Sequence, residues 1–240
     1  MAVRAFEFFI VYCLGSVIQR TTGFGMGIFA IAVLPYFVGS HTTVAAVTGL
    51  VAVFSSTEIA WELRKSIRWR MIPSILAGSM IFTAVSVWFA KGASFELLEK
   101  ILGAVLILLA AVLTFSGKKL RIRQSVPAGF LAGSAGGILN GLFATGGPPV
   151  VMYLFGAIED YTVYLATLQA YFAVNNYYAA LVRFLNGIIT KEVLFGLLFG
   201  GLGMLLGNHV GRLLLPHVPS KALRGMIYAL MAVCGINMLL

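Results

Sequence analysis

The chain has 240 residues, of which 60% are hydrophobic and only 10% are charged, and its mean hydropathy is +0.97. An average soluble domain has about 25% charged residues, so a single water-soluble core is excluded and many apolar side chains are expected to face lipid. The formal net charge is +9. The basic residues lie in short loops between apolar runs, which argues against a nucleic-acid-binding face.

Runs of about 17 to 25 apolar residues predict membrane segments. Eight such segments follow one another along the chain: 5–38, 43–61, 71–90, 97–116, 126–156, 162–185, 192–208 and 222–239. The predicted fold is therefore all-α, a polytopic helical membrane protein. The first and fifth segments are too long for one straight crossing, because a continuous helix over 5–38 would measure about 51 Å against a hydrocarbon core of about 30 Å. Each is expected to tilt, break or re-enter the membrane.

Both long segments contain a glycine-rich stretch at matching positions. The first reads Gly23-Phe24-Gly25-Met26-Gly27, and the second runs from Gly141 through Thr145-Gly146-Gly147 to Pro148-Pro149. Unwound backbone inside a membrane is tolerated only where it lines a cavity or binds a ligand. A matched pair of breaks in two halves of a chain points to the binding site of a transporter.

The two halves of the sequence align weakly but in order. A shift of 118 residues sets Gly15-Ser16 against Gly133-Ser134, and a shift of 119 sets Ser56-Thr57 against Asn175-Asn176. This predicts an N-terminal transmembrane repeat over 1–117, a basic linker over 118–125 and a C-terminal repeat over 126–240. Counting Lys and Arg between segments gives eleven against five whether the long segments cross or re-enter. The repeats are parallel in the first case and inverted in the second, and the count leaves both open while favouring a multi-pass protein of the cell inner membrane.

Arg20 lies immediately before the first glycine-rich stretch, next to Thr21 and Thr22. An unpaired guanidinium inside a membrane costs at least about 2.5 kcal/mol. Arg20 could hold an anionic ligand together with free N–H groups at Gly23, Gly25 and Gly27, or it could reach the lipid phosphates at the interface.

The second break adds a helix start. Pro148 and Pro149 lack amide donors and favour the first turn of a helix, so a helix beginning there would direct its positive end at Gly146, Gly147 and the Thr145 hydroxyl. The alternative is a structural kink with close helix packing.

Amides in the membrane segments complete the candidate site. Asn140 precedes the second break, and Asn175 and Asn176 lie in segment 162–185. They could donate to substrate oxygens or bond between helices. Adjacent residues on a helix point in different directions, so only one of the pair is expected to line a cavity.

The remaining polar residues indicate neither metal binding nor catalysis. Glu58 and Glu62 are interpreted as an interfacial ion-pair face, since they are four residues apart and basic residues begin at Arg64. Neither a metal-ligand pattern, a cofactor motif nor a catalytic set is visible in the sequence, so no cofactor is predicted and the chain is not expected to be an enzyme.

The motif Gly15-Ser16, Gly23-Phe24-Gly25-Met26-Gly27 and Pro35, with its second copy from Gly133 through Gly146-Gly147-Pro148-Pro149 to Tyr153, resembles the TauE/SafE family of sulfite and organosulfonate exporters, the toluenesulfonate uptake permease group. The first copy departs from the family pattern by having Gly-x-Gly-x-Gly in place of adjacent glycines. The resemblance implies a secondary transporter for small sulfur-containing anions such as sulfite, sulfoacetate or other sulfonates.

The sequence thus predicts alternating access around an anion site between the two breaks. Its partners are a small anionic substrate and the lipid bilayer, not nucleic acid. An anion channel or a membrane-embedded enzyme is the alternative, and a homo-oligomer, the direction of transport and the coupling ion are left open.

Overall fold

A computed structural model describes residues 2–115 and 123–214, together with positions 229, 232, 233, 235, 236 and 239. Within these residues the regular structure is entirely helical, which agrees with the predicted all-α class. Predicted segment 222–239 and linker 118–125 lie largely outside the described residues, as does most of the boundary between the proposed halves.

Ten α-helices are described in chain order. They are α1 (Ala2–Thr22), α2 (Met26–Val33), α3 (Pro35–Val38), α4 (His41–Glu62), α5 (Ile72–Gly92), α6 (Phe95–Phe115), α7 (Val126–Phe143), α8 (Gly147–Ala157), α9 (Tyr161–Leu185) and α10 (Lys191–Leu214). Two single 3₁₀ turns, Arg64–Ser66 and Trp69–Met71, join α4 to α5.

Four helical stretches of the described chain are long and apolar enough to cross a membrane: His41–Glu62, Trp69–Gly92, Val126–Phe143 and Lys191–Leu214. The eight predicted segments are therefore supported only in part. Charged side chains lower the hydropathy of α1 and α9: α1 carries Arg4, Glu7 and Arg20, and α9 carries Arg183.

The two longest predicted segments are each divided into helices. Gly23 and Gly25 have φ angles of 87° and 113°, in the left-handed region that glycine tolerates, and they separate α1 from α2. Ala144 has a φ of 53° and ends α7 three residues before α8 begins. In each case the shorter helix runs back along the longer one.

This return path is fixed by side-chain contacts. A Cβ on Gly15 would lie 3.1 Å from Met26 Cγ, so α2 packs against the middle of α1. The hydroxyl of Tyr153 on α8 donates to the carbonyl oxygen of Ser125, just before α7 begins. Residues 2–38 and 126–157 therefore form two helical hairpins, called hairpin 1 and hairpin 2 below.

Glycines let α10 lie directly against α1. A Cβ at Gly203 would meet the carbonyl oxygen of Phe9, and one at Gly207 would meet that of Cys13. Because both contact positions advance together along the chain, the two helices run in the same direction. Close backbone approach through small residues is a common way to pack membrane helices.

Hairpin 2 packs on α5 in the same manner. Gly133 lies against the carbonyl oxygen of Ile75, and Gly137 lies against that of Ser79, so α7 and α5 also run in one direction. The pairing is reciprocal: α1 packs on α10, and α7 packs on α5.

Helices α4 and α9 lie between these two pairs and run in opposite directions. Gly49, near the start of α4, contacts Arg183 near the end of α9, whereas Ala60 near the end of α4 clusters with Ala170 of α9. The Tyr12 hydroxyl of α1 is 2.8 Å from Thr48 Oγ1 of α4. Helices α1, α4 and α10 thus share one direction, and α5, α7 and α9 share the other.

Candidate functional site

The turns of the two hairpins meet inside the bundle. A Cβ placed on Gly27 would lie 2.6 Å from the carbonyl oxygen of Ala144 and 3.5 Å from Thr145 Cγ2. Real Cβ atoms do not approach backbone oxygens this closely, so the contact requires glycine at position 27. The two glycine-rich stretches, 118 residues apart in the sequence, are neighbours in space.

A small cavity lies beside this contact, with a volume of about 40 Å³ for the centres of water-sized molecules. That space is enough for about three waters. Its walls come from α1, α4, α9 and both hairpin turns, through Gln19, Phe24, Gly25, Gly27, Ile28, Ala52, Ser56, Asn140, Ala144, Thr145, Gly146, Gly147, Pro148, Phe172 and Asn176.

Two helix N-termini open on the cavity. Helix α2 begins after Gly25 and α8 begins after Gly146, and at neither start does a side chain cap the free N–H groups. Pro148 and Pro149 have no amide hydrogen, so Gly146 and Gly147 supply the amide donors at the start of α8. Each helix start carries a partial charge of about +0.5. The two together favour an anion in the cavity.

The cavity walls also contain polar side chains without a protein partner. Ser56 Oγ and Asn140 Nδ2 are buried and make no hydrogen bond to another described residue. A buried donor left unpaired costs about 1 to 3 kcal/mol. Thr145 and Asn176 add a hydroxyl and an amide to the same walls. Since no lining residue is charged, the cavity offers an anion neutral donors and helix ends.

Eight of the twelve site residues predicted from the sequence line the cavity: Gly25, Gly27, Asn140, Thr145, Gly146, Gly147, Pro148 and Asn176. Three others are placed outside its walls, namely Arg20, Gly23 and Asn175. The side chain of Thr22 lies outside the described part of the structure.

Asn175 and Gly23 make contacts between helices. The side-chain Oδ1 of Asn175 accepts a hydrogen bond of 2.8 Å from Ser79 Oγ on α5. The carbonyl oxygen of Gly23 accepts one of 2.7 Å from Gln169 Nε2 on α9. Both contacts tie a hairpin or its supporting helix to α9 beside the cavity.

Arg20 forms an ion pair instead of lining the cavity. Its Nη2 donates to Glu62 at the end of α4, and Glu62 also pairs with Arg212 of α10. Arg212 reaches Glu58 as well, at 3.1 Å. These four residues, called the ion-pair cluster below, join the ends of α1, α4 and α10.

The ion-pair cluster is linked to the cavity by amides and a hydroxyl. Asn208 Nδ2 donates to Glu58 at 2.8 Å and is 3.3 Å from Ser55 Oγ, which in turn accepts from Gln19 Nε2 at 3.3 Å. Gln19 itself lines the cavity. The hydrogen-bonded chain therefore runs from the cavity wall to the end of the bundle.

Several lining residues were missed by sequence reasoning. Gln19 and Ser56 supply polar atoms, while Phe24 and Phe172 supply apolar walls. The internal alignment of Ser56-Thr57 with Asn175-Asn176 was the available signal for Ser56. Gln19 was not predicted as a site residue, because its charged neighbour Arg20 was the stronger candidate for binding an anion.

Arg183 was also missed: it lies near the end of predicted segment 162–185 and was not among the predicted site residues. The structure buries it on α9, where its Nη2 donates to the carbonyl oxygens of Asn140 at 2.6 Å and Gly141 at 3.2 Å. It thereby satisfies the last carbonyls of α7, next to the turn of hairpin 2.

Comparison with known proteins gives two matches. The family model described as "Sulfite exporter TauE/SafE" matches residues 8–238. A protein of Cupriavidus necator named "Probable sulfite/organosulfonate exporter TauE" is 27% identical over 145 residues, which cover 59% of this chain and 57% of the relative. The match thus spans a little over half of the relative's length. No solved structure matches the chain.

Proposed function

Because this chain belongs to the sulfite exporter TauE/SafE family, we propose that it is a secondary transporter that exports a small sulfur-containing anion across the cell inner membrane. Sulfite or an organosulfonate is the proposed substrate, following the printed name of the Cupriavidus relative. The family consists of exporters, so the chain is a transporter and not an enzyme.

The cavity between the hairpin turns is the observation that carries the proposal. Two uncapped helix starts, at Gly25 and Gly146, open on the same small space. Unpaired donors at Ser56 and Asn140 lie in its walls. This arrangement suits an oxyanion whose oxygens accept several hydrogen bonds at once. A four-atom anion such as sulfite suits the cavity volume better than a longer sulfonate, which would require the walls to separate.

The proposed ligand set consists of Gly25, Gly27, Asn140, Thr145, Gly146, Gly147 and Asn176 from the sequence prediction, with Ser56 added. Arg20 has a different proposed role. Its guanidinium is neutralised by Glu62, so it holds α1 to α4 and α10 through the ion-pair cluster rather than binding the anion in this conformation.

Inverted repeats are the proposed origin of the two hairpins. Three features support this: the reciprocal packing of α1 on α10 and α7 on α5, the opposite directions of these pairs, and the return of both long segments to their starting side. In this proposal residues 1–117 and 126–240 are the repeats and 118–125 links them. Relative movement of the repeats would expose the cavity alternately to each side.

The distribution of charge supports an orientation. The bundle end at Glu62 carries Arg64, Lys65, Arg68, Arg70, Arg123 and Arg212, whereas the described cations of the other end are Arg4, Lys91, Lys100 and Lys191, with Arg183 buried. Cytoplasmic loops are enriched in Lys and Arg. We therefore place the ion-pair cluster on the cytoplasmic side.

An anion channel is the second candidate. The direct contact of Gly27 with Ala144 favours a carrier, because a channel requires a continuous path past this point. Labelled-anion counterflow in proteoliposomes separates the two: a carrier shows saturable flux that is accelerated by unlabelled anion on the opposite side.

The proposed function is tested by measuring the flux of labelled anions into proteoliposomes that contain the purified protein. Labelled sulfite is compared with thiosulfate, sulfoacetate, taurine and acetate as a carboxylate control. We expect saturable sulfite flux that is reduced at least about tenfold in Gly27→Ala, since the added methyl group collides with the Ala144 carbonyl. Gly201→Ala is the matched control, because nothing lies within 4 Å of its Cβ position. No saturable flux of any sulfur anion would contradict the proposal.

A further inference from the structure

Arg183 is a buried cation for which the proposed cavity gives no role. It is 2% exposed, and it forms no ion pair with a carboxylate among the described residues. Its Nη2 is occupied by the carbonyl oxygens of Asn140 and Gly141. Its Nη1 is buried and has no hydrogen-bond acceptor in the described part of the protein. A charged donor in this position is costly unless an acceptor can reach it.

Nη1 of the guanidinium packs against a glycine of α4. A Cβ on Gly49 of α4 would lie 2.8 Å from Nη1 and 3.8 Å from the Cβ of Ala144. Any larger residue at position 49 would therefore cover Nη1. Position 49 therefore adjoins both Nη1 and Ala144, and Ala144 lines the cavity.

The position of Arg183 along the bundle places it on the proposed outer side of the cavity. On α9 the cavity is lined by Phe172 and Asn176, and Arg183 lies seven residues beyond Asn176, about 10 Å further along the helix. On α4 the cavity is lined by Ala52 and Ser56, whereas Arg183 contacts Gly49. Helices α4 and α9 run in opposite directions, so an earlier position on α4 and a later position on α9 both lie toward the end of the bundle that bears Asn186.

We propose that Arg183 is a second anion-binding group, which the transported anion contacts through Nη1 after it passes Ala144 toward the end of the bundle that bears Asn186. The inference rests on the proposed function, because it takes the anion in the cavity as its source. The cavity supplies neutral donors on the cytoplasmic side, and Arg183 supplies a full positive charge on the other. The anion then moves between two unequal positions separated by the contact of the hairpin turns.

Substrate affinity measured separately from each membrane face tests this proposal. Sulfite flux is measured in right-side-out and inside-out vesicles, and a membrane-impermeant maleimide on Lys65→Cys identifies the face that bears residue 65. We expect Arg183→Gln to raise the KM for sulfite about tenfold when sulfite is offered at the face bearing Asn186, and less than twofold at the other face. Arg183→Lys, which keeps the charge, should retain most of the affinity.

Two further variants separate binding from architecture. Gly49→Ala keeps the guanidinium but covers Nη1, so it should give the same one-sided rise in KM even if Arg183→Gln does not fold. Asn176→Ala, in the cavity, should raise KM from both faces. A change from Arg183→Gln that is equal at both faces, or absent, would overturn the proposal, as would unaltered kinetics in Gly49→Ala. Absence of saturable sulfite flux in the wild-type protein would instead refute the proposed function.

Discussion

Asn175 and Asn176 are adjacent on α9 but face different surroundings. The side-chain Oδ1 of Asn175 accepts a hydrogen bond from Ser79 Oγ of α5, whereas Asn176 lines the cavity between the hairpin turns. Neighbouring positions on a helix are about 100° apart, so one residue fastens α9 to α5 while the next faces the proposed substrate. The same substitution at each position therefore compares the structural role of Asn175 with the proposed binding role of Asn176.

Replacing each asparagine with alanine should therefore give different defects. We expect Asn176→Ala to raise the KM for sulfite about tenfold, because a hydrogen bond to a charged group is lost, with little change in thermal stability. Asn175→Ala should lower the free energy of unfolding by about 1 to 3 kcal/mol, because the buried hydrogen bond between Asn175 Oδ1 and Ser79 Oγ is lost. Proteoliposome kinetics and thermal melting in detergent measure the two effects. Identical defects in the two variants would contradict the assignment.

The ion pair of Arg20 and Glu62 provides a second test. Arg20 is 8% exposed and lies outside the cavity walls. We expect Arg20→Gln to lower the free energy of unfolding by about 2 kcal/mol, a value reduced from that of a fully buried pair because Glu62 is partly exposed.

Equilibrium binding of sulfite should change less than threefold in Arg20→Gln. Thermal melting and sulfite titration of the purified protein check both expectations, and exposed Lys65→Gln at the same end of the bundle is the control. In Arg20→Gln the Glu62 carboxylate keeps its ion pair with Arg212, so the double variant Arg20→Gln with Glu62→Gln should be no more stable than Arg20→Gln alone. Complete loss of sulfite binding in a folded Arg20→Gln protein would restore Arg20 as a direct ligand.

The local signals in the sequence were enough to indicate the site but not its assembly. Residue type permits left-handed backbone at Gly23 and Gly25 and favours prolines at the start of α8. The division of the long segments and most of the cavity wall could therefore be inferred without coordinates. That the two turns meet depends on packing between distant helices, which residue type does not specify.

The two arginines show why charge is harder to place than backbone breaks. Arg20 was a candidate anion ligand because it precedes a glycine-rich stretch. Its partner is instead Glu62, 42 residues later in the chain. Arg183 lies near the end of predicted segment 162–185 and precedes no glycine-rich stretch. Only the tertiary fold brings it to the last carbonyls of α7. Long-range partners of this kind carry no sequence-local pattern.

Close packing of α10 on α1 gives a further prediction. The Cβ of an alanine at position 207 would collide with the carbonyl oxygen of Cys13, which belongs to the backbone and cannot move aside without shifting α1. We expect Gly207→Ala to lower the free energy of unfolding by about 1 to 3 kcal/mol, as is typical of overpacking. Gly201→Ala on the same helix has open space around its Cβ. Its free energy of unfolding should therefore lie within about 0.5 kcal/mol of the wild-type value.

The equivalent substitution in the other pair, Gly137→Ala, should behave like Gly207→Ala, because its Cβ meets the carbonyl oxygen of Ser79 on α5. If the two pairs are equivalent parts of inverted repeats, both variants should lose stability by similar amounts while Gly201→Ala does not. Thermal melting of the three purified variants makes the comparison. Stability equal to the wild type in either Gly207→Ala or Gly137→Ala would show that the helices of that pair are not in direct backbone contact, and would remove the reciprocal packing on which the repeat proposal depends.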